Sequence, residues 1–156
     1  MHVRGFTLIE MLVTVTIVGL LAAMAMPLAQ LMAQREKEGE LHQALHTLRR
    51  AIDAYKEAAD TGRIKFEAGT SGYPPSLRVL VDGVEDVQSP TKATIYFLRQ
   101  MPRDPFYPDT SVAPADTWGL RSYQSPPTAP EPGDDVFDVY SLARGKGLNG
   151  IVYRDW

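Results

Sequence analysis

Glu10 stands five positions after Gly5, at the mouth of an apolar run in which residues 11–34 carry no charge. A carboxylate in a membrane helix costs about 2.5 to 3.5 kcal/mol on insertion scales, so it calls for a partner. Cutting the chain between Gly5 and Phe6 would supply one. It would create an α-ammonium at Phe6, four residues before Glu10 and on the same face of a continuing helix. Three other constellations offer chemistry and have plainer readings. His42 and His46 have the spacing of two ligands of one metal, but they border Leu41 and Leu45 and read as solvated helix histidines. Asp134, Asp135 and Asp138 offer hard oxygens or acid–base groups; following Pro132-Gly133, the first two read as turn residues before a strand. Ser141 lacks the context of a nucleophile elbow.

The elements that position these residues are bounded by composition. The chain has 156 residues, 17.3 kDa, a formal net charge of -3 and a pI near 5.6, enough for one domain and an appended segment and too little for a multidomain enzyme. There is no basic excess to attract nucleic acid. With no cysteine, disulfide scaffolds, thiolate metal sites and cysteine nucleophiles are excluded. Although hydrophobic residues make up an ordinary 44% and mean hydropathy is -0.19, they concentrate near the amino terminus.

The uncharged run of 24 residues exceeds the roughly 20 needed to span a bilayer. It mixes large apolar residues with Gly19, Ala22 and Ala23, which permit close helix approach. Arg4 precedes it, so the leader is expected on the cytoplasmic side and the remainder outside. A secretory signal peptide cut after Ala23-Met24-Ala25 is the competing reading, and it leaves Glu10 unexplained.

Gly5-Phe6-Thr7-Leu8-Ile9-Glu10, followed by the apolar stretch, resembles the class III signal of type IV pilins and type II secretion pseudopilins. The resemblance implies that a membrane aspartic peptidase cuts after Gly5 and N-methylates Phe6. It also implies that Glu10 neutralises the amino terminus of a neighbouring subunit in a filament. Pro27 falls where such chains often carry a helix-kinking proline. The implied organisation is a leader at 1–5, a transmembrane and filament-core helix at 6–34, an amphipathic half at 35–62 and a periplasmic head at 63–156.

Beyond Arg35-Glu36-Lys37-Glu38, the positions Leu41, Leu45, Leu48, Ile52, Tyr55 and Ala59 form one helix face. The spacing predicts a helix from about Thr7 to Asp60, roughly 80 Å at 1.5 Å per residue. Its first half needs lipid or sister helices, and its second offers a stripe to a small head. Glu36, Lys37, Glu38, Glu40, Arg49, Arg50, Lys56 and Glu57 read as a solvated face in a monomer and as inter-subunit ion pairs in a filament. Trp118, Tyr123 and Trp156 are expected in the core or in subunit contacts.

In the head, Leu77 to Val81 reads as a loop or short helix, and Ile95 to Leu98 as a strand or a helical turn. Eight of the twelve prolines lie between Pro102 and Pro132, predicting irregular chain apart from a strand around Leu120 to Gln124. Val136 to Leu142 alternates as a strand, the glycines from Gly145 to Gly150 make a turn, and Ile151-Val152-Tyr153 is expected to return as a last strand. The fold class is therefore α+β and pilin-like: a long amino-terminal helix packed on a small antiparallel sheet with a Pro-rich loop.

Gly72-Tyr73-Pro74-Pro75, the segment from Phe97 to Phe106, and Val136 to Leu142 are similar to parts of the G-type major pseudopilin of type II secretion. That family implies a non-enzymatic subunit of a periplasmic pseudopilus. Its implied partners are further copies of itself, other pseudopilins, a prepilin peptidase and methyltransferase, an inner-membrane assembly platform and, before assembly, membrane lipid. Subunits of a type IV or competence pilus are the alternative within the superfamily, and a soluble periplasmic binding domain or enzyme is the alternative outside it. The sequence departs from the family where typical members bind calcium. From Ala143 to Val152 it has Arg144 and Lys146 and no carboxylate, with Asn149 and Asp155 as partial replacements at best. No metal or other cofactor is expected.

Overall fold

A computed structural model describes residues 6–66 and 69–156, with the side chains of 24–26 left aside. Helix α1 runs over Leu8–Asp60, 53 residues, continuous through Pro27. Thr7 caps it: its hydroxyl accepts the Glu10 N–H at 3.3 Å and its carbonyl the Met11 N–H at 3.2 Å. Thr7 and Glu10 have the capping-box spacing, a start signal that marks the boundary within one residue of the expected one. At the far end Gly62 adopts φ +68°, while Arg63 N–H bonds Ala58 O and Gly62 N–H bonds Ala59 O, both at 2.9 Å. Those two bonds form a Schellman motif, which needs a residue at ease in the left-handed region.

Contacts divide the chain between Lys37 and Glu38 into two units. In the first, the most apolar 18-residue window of α1 has mean hydropathy 2.3 and no buried residue. Leu8, Ile9, Leu12, Val13, Val15, Ile17, Val18, Leu20 and Leu21 are exposed on every side of the helix. Apolar in all directions, this segment has no single stripe to offer a globular core and is long and apolar enough to cross a membrane. Thr14 and Thr16 suit that setting, because their hydroxyls donate to the carbonyls of Met11 and Leu12 at 2.9 and 2.7 Å.

The second unit is built on the amphipathic part of α1. Leu41, Leu45, Leu48, Ile52, Tyr55 and Ala59 are all buried, as their spacing predicts, and Ala44, Ala51 and Ala58 widen the stripe. Full burial of one leucine contributes about 1.5 to 3 kcal/mol. The stripe packs with Leu77, Leu80, Leu98, Trp118, Val136, Val139 and Tyr153. Leu80 belongs to α2, Val79–Asp82. A two-residue ribbon follows: β1, Val84–Glu85, pairs antiparallel with β2, Thr94–Ile95. Arg63 holds this corner by donating to Asp86 at 2.6 and 3.2 Å, which keeps the Asp86 carboxyl below its ordinary range.

The second ribbon pairs β3, Trp118–Arg121, with β4, Asp138–Ser141, in the register Trp118 with Ser141 through Arg121 with Asp138. The ring of Tyr140 crosses Gly119 so closely that a Cβ there would lie 2.2 Å from Cε2, so no other residue fits. Among the described residues the head therefore has two short two-stranded ribbons instead of one sheet. Three expectations shift with this. The strand anticipated at Leu120 to Gln124 begins earlier and stops at Arg121, because Ser122 N–H turns to Glu131 O at 2.9 Å. The one anticipated at Val136 to Leu142 shortens to β4, since Val136 N–H bonds Pro74 O at 2.8 Å. The expected last strand at 151–153 is one bridge, Lys146 with Val152, followed by a 3-10 turn at Tyr153–Asp155. Tyr153 is drawn inward there to stack on Phe106, with ring centroids 4.4 Å apart.

Candidate functional site

The amino-terminal candidates fall on the start of α1. Gly5 lies outside the described residues. Phe6 is 77% exposed and precedes the helix by two residues, so the regular i, i+4 register assumed for Phe6 and Glu10 within one chain does not apply. Glu10 is exposed in the first turn, where a negative charge complements the helix dipole. Pro27 sits inside the helix and Ala23 is helical too, in the segment that the competing signal-peptide reading would make a cleavage site.

The head places its polar residues in structural roles. His42 is exposed and stacks on the Trp156 ring at 4.2 Å, and His46 is exposed beside Arg50 and Asp53. Among the described residues, no three His, Cys, Asp or Glu side chains cluster to hold a metal. Asp134 and Asp135 border a surface groove with Tyr73 and Tyr123, but Asp135 is committed: it accepts from Ser71 and from Tyr123 N–H, the latter at 2.8 Å. Trp118 is buried and donates to Pro102 O at 2.9 Å. Tyr123 is 59% exposed, stacked on Tyr73, rather than in the core.

Two residues read as solvated are working contacts of the head. Arg49 donates to Asp138 Oδ1 at 2.8 Å, to Val139 O at 3.2 Å and to Trp156 O at 2.7 Å, tying α1 to β4 and to the last residue. Glu38 accepts Leu148 N–H at 3.0 Å and Tyr153 O–H at 2.9 Å through one oxygen. Asp104, unremarked in the sequence, is fully buried; it accepts Ser141 O–H at 2.5 Å and Phe106 N–H at 2.8 Å. Nothing at chain positions near Asp104 signals Ser141, 37 residues away.

The loop from Ala143 to Val152 does not fit calcium. Asn149 Oδ1 accepts Ile151 N–H at 2.9 Å, the Glu38 oxygen nearest the loop is taken by two donors, and Arg144 and Lys146 bring positive charge. The chain's own hydrogen bonds hold this loop.

Residues 1–26 match the family model of the prokaryotic N-terminal methylation motif. The motif covers the start of the chain, and the long helix and small antiparallel ribbons behind it are consistent with a pilin-like α+β fold. The chain is 29% identical over 141 residues to type II secretion system core protein G of Klebsiella pneumoniae, covering 85% of this chain and 91% of that one. It is 27% identical over 158 residues to type II secretion system core protein G of Dickeya chrysanthemi, covering 94% of each. No solved structure matches the chain significantly.

Proposed function

We propose that this chain is a non-enzymatic structural subunit of a periplasmic pseudopilus serving a type II protein secretion system. The observation that carries it is the first part of α1, apolar on every side and unburied, directly behind a prepilin motif. In this reading the peptidase cuts after Gly5 and methylates Phe6, and the helix rests in the inner membrane with its head in the periplasm. On assembly it leaves lipid for a core of like helices, guided by an inner-membrane platform. Each Glu10 offsets the α-ammonium of a neighbour, which suits a Phe6 that lies off the helix. Pro27, lacking a backbone donor, loosens the helix locally as it moves. The similarity to core protein G favours a pseudopilus over an adhesive or DNA-uptake pilus.

Deleting the gene in its host tests this. The expected result is accumulation of normally exported enzymes in the periplasm, with surface piliation and transformation unchanged. Intact export with lost pili or lost transformation would contradict it.

A further inference from the structure

The hairpin closing the chain carries an apolar tip flanked by cations. Leu148, Ile151 and Val152 are 43, 49 and 36% exposed, three large apolar side chains within five residues. Lys146 pairs across the bridge with Val152, so their side chains share a face. Arg144 and Lys146 are exposed; from Val139 to Trp156 the cations are Arg144, Lys146 and Arg154, against Asp155 as the single acidic side chain. Arg154 lies over the Tyr140 ring, 5.2 Å from its centre.

This tip is held in place. Gly147 N–H bonds Ile151 O and Gly150 N–H bonds Gly147 O, both at 2.8 Å. The Trp156 ring covers Gly147, where a Cβ would meet Cζ2 at 2.2 Å. Glu38 takes the Leu148 amide at 3.0 Å. Glu38 follows Gln34, the end of the uncharged run, by four residues, and four residues span at most about 14 Å in any conformation. If residues 6–34 span a bilayer, Glu38 and the hairpin bonded to it stay within chain reach of the membrane surface.

We propose that this hairpin is a membrane-contact surface: before assembly, Leu148, Ile151 and Val152 dip into the interface of the outer leaflet while Arg144 and Lys146 engage anionic phospholipid headgroups. Apolar residues beside cations suit that boundary. The contact rests on the membrane reading of α1 and adds a restraint on the head that must be released when the subunit enters a filament.

Because the chain has no cysteine, single labels test this in the full-length protein. An environment-sensitive fluorophore is placed at Leu148→Cys, Thr16→Cys or Tyr96→Cys, one chain per phosphatidylglycerol nanodisc containing spin-labelled quencher lipid. Tyr96 is exposed, and its neighbour Phe97 meets Tyr55, 17 residues beyond Glu38. Labels at 16 and 148 are expected to be quenched and the label at 96 spared. Arg144→Gln with Lys146→Gln is expected to weaken the contact at 148 roughly 25-fold, about five-fold per cation at low salt. Phosphatidylcholine discs should weaken it similarly. Quenching at 16 but not at 148 would overturn this inference and leave the membrane reading standing. Absence of quenching at 16 would overturn both. Quenching at 148 that requires two chains per disc would assign the surface to a second copy, and quenching at 148 and 96 alike, or insensitivity to the double variant, would also defeat the proposal.

Discussion

A Glu10→Ala chain is expected to be cut and methylated normally and yet to be absent from filaments. The substitution removes a carboxylate that costs about 2.5 to 3.5 kcal/mol in lipid, so the variant should sit more comfortably in the membrane than its parent. Its loss to the first turn of α1 costs only about 0.3 to 1 kcal/mol, too little to disrupt the helix. In the proposed filament, what disappears is the partner for a neighbour's α-ammonium, buried among apolar helices where an unpaired charge is most costly. Glu10→Gln separates charge from capping, because it keeps the hydrogen-bonding reach of a capping-box residue. Both variants should fail to incorporate when filaments are sheared, sedimented and blotted. Normal filaments from Glu10→Ala would remove the role given to this residue, and assembly by Glu10→Gln alone would transfer it to capping.

Asp104→Ala should produce the largest loss of stability in the head. The side chain is fully buried and receives the Ser141 hydroxyl and the Phe106 amide, so truncation strands both donors. An unsatisfied buried donor costs about 1 to 3 kcal/mol, giving a combined penalty on the order of 3 kcal/mol. Domains of this kind have about 5 to 15 kcal/mol in total. The melting temperature of the full chain in detergent, followed by circular dichroism of the head, should fall by on the order of 10 °C. Asp104→Asn, which keeps an acceptor oxygen, should fall between. A melt of Asp104→Ala indistinguishable from the parent would show that this network does not hold the head.

What was legible in the sequence follows from the range of the interaction. The stripe from Leu41 to Ala59 is a local periodicity, and every one of its members is buried. The apolar run beginning at Met11 likewise declares itself, because a helix apolar all round has few places to go. Contacts across long stretches left no such trace. Arg49 and Asp138 are 89 residues apart, and Glu38 and Tyr153 are 115 apart, so in the sequence alone both helix residues read as solvated charge. The three residues from Ile151 to Tyr153 were too few for alternation to separate a strand from a bridge and a turn. In the Pro-rich stretch, backbone amides find partners outside any ladder, as Ser122 does with Glu131, and strand ends there depend on tertiary position. The departure at Arg144 and Lys146, by contrast, was plain from charge alone, and the loop's own hydrogen bonds explain how it closes.

The proposed function stands on one covalent event, so the measurement that tests it most directly is the intact mass and amino-terminal sequence of the mature protein purified from membranes of its host. A chain beginning at N-methylated Phe6, with Glu10 in its fifth position, is the predicted result. A chain beginning at Met26, cut as an ordinary exported protein and stripped of both the apolar helix and Glu10, would contradict it.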